Sequence, residues 1–365
     1  MKRGPTRKFR LLLEAWRPII QKVDPTRSRI NWFARASHWR SAAVHTALNR
    51  IQRKSHEQAI ADAVPLPPLF VVGFWRSGTT FLHELLCSNP RFGFPSTYAC
   101  LNASNFLLTE KMSAGGKQVG TKRAMDEVRY TWHSPQEDEF ALLCLGAPSP
   151  YEALLVPSLM KAPEALLDLR SRSEQDQKCW SGTLAYFLKL LTIQQAKPMV
   201  LKSPTHGFRL PMLSMLYPQA RFVVIERNPY EVFASNLKLW KTLLEEYSLE
   251  DYADVDIELF VLNAYVRHEA ILRQALGQLS RKATVRYEDL VAKPLDETER
   301  VYRELHLGDF SEVRQHIEKY LSRVAGHRRN QFEISSAQKQ SVDRYWGEFI
   351  QDKGYAFPGE YMTVI

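Results

Sequence analysis

The stretch Leu69–Thr80, LFVVGFWRSGTT, limits what this chain can fold into more than any other. An apolar, β-branched run ends in Gly73, a second glycine follows at Gly78, and Phe81, Leu82, Leu85 and Leu86 then fall on one helical face as far as about Ser88. A run that is apolar at every residue reads as a strand buried on both sides. Strand, glycine turn and helix in that order make a phosphate loop. The glycines let neighbouring N–H groups converge, and the helix N-terminus adds partial positive charge, so an anion belongs at that point. A nucleotide-hydrolysing loop needs lysine directly after the second glycine. This chain has Thr79 there, and its one loop cation is Arg76.

Further strands are expected at 199–203, 221–226 and 283–287. Asn228 and Pro229 open a long helix that runs to about Glu246, as N-cap and first-turn residue. Residues 95–195 read as mostly helical, and helices are expected at 295–306, 311–323 and 337–352. Strands separated by helices imply a parallel sheet with helices on both faces. The expected architecture is therefore α/β: a central parallel sheet flanked by helices in three layers, with a helical elaboration and an N-terminal helical arm. VPLPP at 64–68 marks the boundary, giving an arm over 1–60 and a main domain over 61–365.

The arm holds most of the charge. Residues 1–54 carry 14 Lys/Arg against Glu14 and Asp24, a local +12 that leaves −3 for the rest of a +9 chain. Phe9, Leu12, Leu13, Trp16 and Ile20, then Trp32, Phe33 and Trp39, recur at helical intervals. Such a stretch either docks on the core by its apolar stripe or lies on an anionic membrane as a peripheral contact. No nucleic-acid recognition motif accompanies the charge. Cys87, Cys100, Cys144 and Cys179 lack CxxC spacing, which argues against a zinc knuckle or disulfide framework and fits a reduced, cytoplasmic setting. No apolar run approaches the ~18–20 residues of a membrane span. The three leucines before Glu14 are too few for a secretory signal.

FVVGFWRSGTTFLHELL, with RSGTT at its centre, resembles the 5'-phosphosulfate loop of sulfotransferases that use 3'-phosphoadenosine 5'-phosphosulfate (PAPS). The resemblance is to the bacterial type, more distantly to tyrosyl-protein and carbohydrate sulfotransferases, and covers about residues 66–355. It implies a P-loop-like fold and a donor held by Arg76, Ser77, Gly78, Thr79, Thr80 and Phe81. RFVVIERNPYEVFASNLKLW at 221–240 resembles the family's 3'-phosphate segment, with Arg227 and Ser235 as the ligands. VRYEDLVAKP gives Tyr287 a place near the adenine. GHRRNQF makes Arg328 and Arg329 candidates for a loop closing over the 3'-phosphate.

Sulfuryl transfer needs charge neutralised on the leaving phosphate and a proton removed from the acceptor hydroxyl or amine. Arg76 and Lys202 are the expected cations, Lys202 by resemblance of its Lys-Ser-Pro segment. For the base, Glu137 is favoured, then Asp138, with His206 as an alternative; these acids, with Glu139, are expected in the first turn of a helix. Phe106, Leu107, Tyr130 and Trp132 either line an acceptor pocket or belong to the core. No metal site is expected. The competing readings are a kinase-like or nucleotide-hydrolysing P-loop enzyme, with Glu226 as the nearest candidate magnesium ligand, and an inactive nucleotide binder attached to membranes.

Overall fold

Leu69 to Val72 are all buried, as their uninterrupted apolar sequence requires. They form β1 of a four-stranded parallel sheet in a computed structural model that describes residues 5–113, 121–122, 129–324 and 331–365. Its other strands are β2 (Val200–Lys202), β3 (Arg221–Glu226) and β4 (Lys282–Arg286), in the order β2-β1-β3-β4. Val71 lies opposite Lys202 on one side and Val223 on the other. The chain leaves β1 for one side of the sheet and returns on the other, so the β1/β3 boundary is a topological switch point. In open α/β sheets, ligands bind beyond the strand C-termini at such a point. β4 is the edge strand: Ala283 and Val285 are buried while Lys282, Thr284 and Arg286 face solvent.

Most expected elements fall within a residue or two of their predicted ends. Helix Thr79–Cys87 packs on β1 and β2, and helix Pro294–Leu305 on β4. Helices Pro229–Tyr247, Ser311–Val324 and Ser336–Asp352 occupy the other expected stretches. Helix Ile257–Leu276 has no counterpart in the sequence reading; it buries Phe260, Val261, Leu262, Ala264 and Tyr265. Tyr265 packs against Trp346, ring centroids 4.0 Å apart.

The chain divides into two compact units. The first, Pro67–Gly93, Pro198–Lys238 and Glu258–Ile365, contains the whole sheet. The second, Met1–Leu66, Phe94–Lys197 and Leu239–Ile257, groups the N-terminal residues with the helical middle. Its spine is helix Glu174–Gln195, which buries Trp180, Leu184, Phe187 and Leu191. Phe106 is fully buried against Phe187, so it belongs to this core. In the arm, helix Leu13–Lys22 docks by Ala15, Trp16, Ile19 and Ile20, while Phe9 stacks on Phe140 and Tyr247. Trp32 and Phe33 do not join that stripe and are exposed; Trp39, also exposed, meets Trp16 edge-on. Among the described residues, no helix is long and apolar enough to cross a membrane. All four cysteines are free thiols; burial pushes Cys144 up to about 12, against the weaker influence of Arg10.

One ionic cluster holds the end of β3 in place. Lys353 Nζ sits 2.9 Å from Glu226 and 2.5 Å from Glu269, and His268 Nδ1 lies 3.2 Å from Glu269. Burial alone would raise the Glu269 carboxyl, but the His268 hydrogen bond and the Lys353 charge outweigh it and hold the group near about 2, below its ordinary 4.5. A depressed carboxyl adds stability that is fully present above its unfolded value and is lost as pH falls through its folded value. Urea unfolding between pH 4.5 and 2 should therefore show stability falling with acid. Glu269→Gln should flatten that fall; an equally steep acid limb in the variant would rule out this cluster as its source.

Candidate active site

The turn after β1 is built to let backbones touch. A Cβ on Gly73 would lie 2.8 Å from the Ile225 carbonyl oxygen in β3, so only glycine lets the loop start this close to the neighbouring strand. Gly78, the N-cap of helix Thr79–Cys87, has φ 96°, and a Cβ there would meet the Tyr287 ring at 2.3 Å. Tyr287 thus packs directly on the phosphate loop. Arg76 also adopts a left-handed backbone, φ 68°, a region that costs a side-chain-bearing residue about 1 kcal/mol or more. Phe74 anchors the loop from beneath, edge-on to Tyr265 and His268.

Arg227 leaves the end of β3 and fixes that geometry. Its Nε and Nη2 donate to one oxygen of Glu231, at 3.1 and 2.5 Å. Its Nη1 donates to the Arg76 carbonyl at 3.1 Å, and its guanidinium lies 4.4 Å from the centre of the Tyr287 ring. These bonds use three of five N–H groups, leaving two for a ligand. Arg76 Nε in turn donates to Ser235 Oγ at 2.8 Å. Arg76, Arg227, Ser235 and Tyr287, some 210 residues apart in sequence at the extremes, therefore form one connected group. Asn236 Nδ2 donates to the Trp75 carbonyl at 2.8 Å and ties the same helix to the loop.

Lys202 ends β2 and is 2% exposed. Its Nζ approaches Thr80 Oγ1 at 3.5 Å, a long contact at the limit for a hydrogen bond. Ser77 is committed to the turn itself: its N–H and Oγ both donate to the Phe74 carbonyl, at 3.2 and 2.8 Å. By helix geometry, the first-turn N–H groups of Thr79, Thr80 and Phe81 have no intrahelical carbonyl to bond. Phe81 is half-buried beside Tyr320. His206 is wholly buried, its ring edge-on to Phe70 at 5.3 Å. Glu226 is engaged by Lys353.

The acids at 137–139 belong to the other unit. Helix Asp138–Leu145 starts one residue later than expected, with Glu137 as an extended N-cap at φ −71° and ψ 121°. Asp138 and Glu139 are fully buried, and Glu137 is half-buried. The Tyr151 hydroxyl donates a short hydrogen bond to the Glu137 carboxylate. Arg328, Arg329 and the Tyr130 side chain lie outside the described residues.

Two functional neighbours escaped the sequence reading. Glu231 is fully buried; its four-residue spacing from Arg227 is the local signal that could have found it. Glu288 accepts the Asn228 N–H at 2.9 Å, a contact across 60 residues with no local signal. The loop geometry predicts that Gly78→Ala combines backbone strain with a clash against Tyr287. The protein should stay folded but lose about 1–3 kcal/mol of stability, and nucleotide protection against thermal unfolding should disappear. Undiminished protection in the variant would refute that reading of the turn.

A model of the Sulfotransferase family matches residues 67–312. The omega-hydroxy-beta-dihydromenaquinone-9 sulfotransferase Stf3 of Mycobacterium bovis is 35% identical over 334 residues, covering 87% of this chain and 85% of its own. The protein of the same name from Mycobacterium tuberculosis matches equally. In fold, the crystal structure of sulfotransferase STF9 from Mycobacterium avium has a TM-score of 0.72 at 17% identity, covering 95% of this chain and 93% of that one. STF1 from Mycobacterium tuberculosis has a TM-score of 0.64 at 20% identity, covering 92% and 91%.

Proposed function

The chain belongs to the sulfotransferase family and is a sulfotransferase; we propose that it takes its sulfuryl group from PAPS and delivers it to the hydroxyl of a long, apolar, menaquinone-like lipid. The observation that carries the donor reading is the joined group at the switch point. Arg76, bonded to Ser235, and Arg227, bonded to the Arg76 carbonyl, supply cations beside a helix N-terminus that has Thr79 where a hydrolase needs lysine. Gly73 and Gly78 let the loop pack directly against Ile225 and Tyr287, where a Cβ would clash. The residues present therefore suit a donor with two separate phosphate groups. Arg76 and the N–H groups of Thr79 and Thr80 would hold the 5' side, Arg227 and Ser235 the 3'-phosphate, and Tyr287 the adenine.

PAPS supplies the sulfuryl group: the acceptor oxygen bonds to sulfur, the bridging S–O bond breaks, and its electron pair stays on adenosine 3',5'-bisphosphate. Lys202 and Arg76 neutralise the charge that grows on the leaving phosphate, an electrostatic contribution of the kind that dominates group transfer. For the acceptor's proton the sequence favours Glu137, and of the three neighbouring acids it alone is not fully buried. The lipid acceptor rests on the named substrate of the two 35% identical relatives. A cytoplasmic setting with peripheral membrane contact suits such an acceptor.

Transfer of label from radioactive PAPS to an isoprenoid quinone bearing an omega-hydroxyl, with EDTA present, tests donor and acceptor together. Label should reach the lipid and not a short water-soluble phenol. Lys202→Ala should lower turnover roughly 10²–10³-fold with little change in nucleotide affinity. Arg227→Ala should weaken calorimetric binding of adenosine 3',5'-bisphosphate about 10–100-fold. Transfer abolished by EDTA, or two variants that alter affinity alone, would overturn the assignment.

A further inference from the structure

Helix Trp32–Ser55 is turned inside out. The residues it buries are His38, Ala42, Thr46, Asn49 and Gln52, four of them polar. Each is accommodated within its own unit. His38 stacks on Trp16 at 4.7 Å, and burial, helped by the Lys8 charge, pushes it down to about 4, so it packs uncharged at neutral pH. Thr46 Oγ1 accepts the Leu13 N–H at 2.9 Å. Gln52 donates to the Ala103 carbonyl at 3.2 Å and accepts the Leu107 N–H at 3.0 Å. Asn49 Oδ1 accepts the Tyr186 hydroxyl at 3.5 Å.

The outer face carries what an ordinary helix would bury. Trp32 and Phe33 are 68% and 63% exposed and stack on each other at 3.5 Å. Val44 and Ile51 are 51% and 55% exposed. At 3.6 residues per turn, Phe33, Arg40, Val44 and Ile51 share one line along the helix. Arg40, Arg50, Arg53 and Lys54 are exposed on the same helix, which has no acidic residue at all. We propose that this face docks on an anionic lipid bilayer, with Trp32, Phe33, Val44 and Ile51 entering the headgroup boundary and Arg40, Arg50 and Lys54 meeting lipid phosphates. Apolar ridge, flanking cations and interfacial tryptophan are what such a surface selects. Charge complementarity chooses the occupant. A second copy bound through the same face would set cations against cations, and a nucleic acid would leave the apolar ridge unmatched. The proposal deepens the peripheral-contact part of the functional reading, but its test involves neither donor nor acceptor.

Sedimentation of the full chain with vesicles decides the matter. The protein should pellet with phosphatidylcholine containing about 30% phosphatidylglycerol and bind phosphatidylcholine alone far more weakly. Its tryptophan emission should shift to the blue on the anionic vesicles. Trp32→Ser/Phe33→Ser/Ile51→Ser should weaken vesicle binding at least roughly tenfold at an unchanged melting temperature, since all three side chains are exposed. Arg40→Gln/Arg50→Gln should reduce binding to the anionic vesicles only. Wild-type protein left in the supernatant without a spectral shift would overturn the proposal. So would variants that bind as tightly as wild type, or a concentration-dependent dimer that the triple variant dissolves. Failure here would leave the donor and acceptor assignments untouched, because those rest on label transfer.

Discussion

The guanidinium of Arg227 is the point on which the loop end of the sheet depends. It stands at the end of β3, and three of its N–H groups are committed within the protein. The Glu231 carboxylate sets its plane, the Arg76 carbonyl fixes its reach, and Tyr287 covers one face. A planar fork held this way is pre-organised, which lysine at the same position would not be. The bond to the Arg76 carbonyl does a second task. It ties β3 to the turn after β1, so both sides of the switch point are held by one side chain.

This arrangement explains how the loop serves group transfer without a lysine after its second glycine. In a hydrolase that lysine spans the outer phosphates. In the proposed mechanism the charge comes instead from Lys202 at the end of β2, beside Thr80, and from Arg76 inside the loop. The cations are thus divided among two strand ends and one turn. Ser77 closes the turn, its N–H and hydroxyl both donating to the Phe74 carbonyl.

The sheet and the loop were legible in the sequence because their signals are local. Leu69–Val72 and Arg221–Glu226 are apolar runs of strand length, and the two glycines stand where the turn needs them. Arg227 and Ser235 were singled out by the resemblance of the segment at 221–240, and the fold joins both to Arg76. Glu231 was not singled out. Two residues after a helix-starting proline, a carboxylate looks like any acid favoured at a helix N-terminus, and only the fold reveals that it is fully buried against Arg227. Glu137 was placed inside a helix that in fact begins at Asp138. The arm shows the deepest limit. Periodicity identifies two faces of helix Trp32–Ser55 but not which one turns inward. That is decided by partners about 50 residues away, such as the Ala103 carbonyl and the Leu107 N–H that satisfy Gln52.

The left-handed backbone at Arg76 has a consequence for how the loop came to its composition. At φ 68° glycine would be cheaper by about 1 kcal/mol, and glycine already fills the similar conformation two residues on. A position that keeps a long cationic side chain against that gradient is held for the side chain and not for the turn. Replacing Arg76 by alanine therefore removes the cation while keeping the backbone cost. Replacing it by glycine removes both, so the two substitutions together separate what the loop's shape contributes from what its charge contributes.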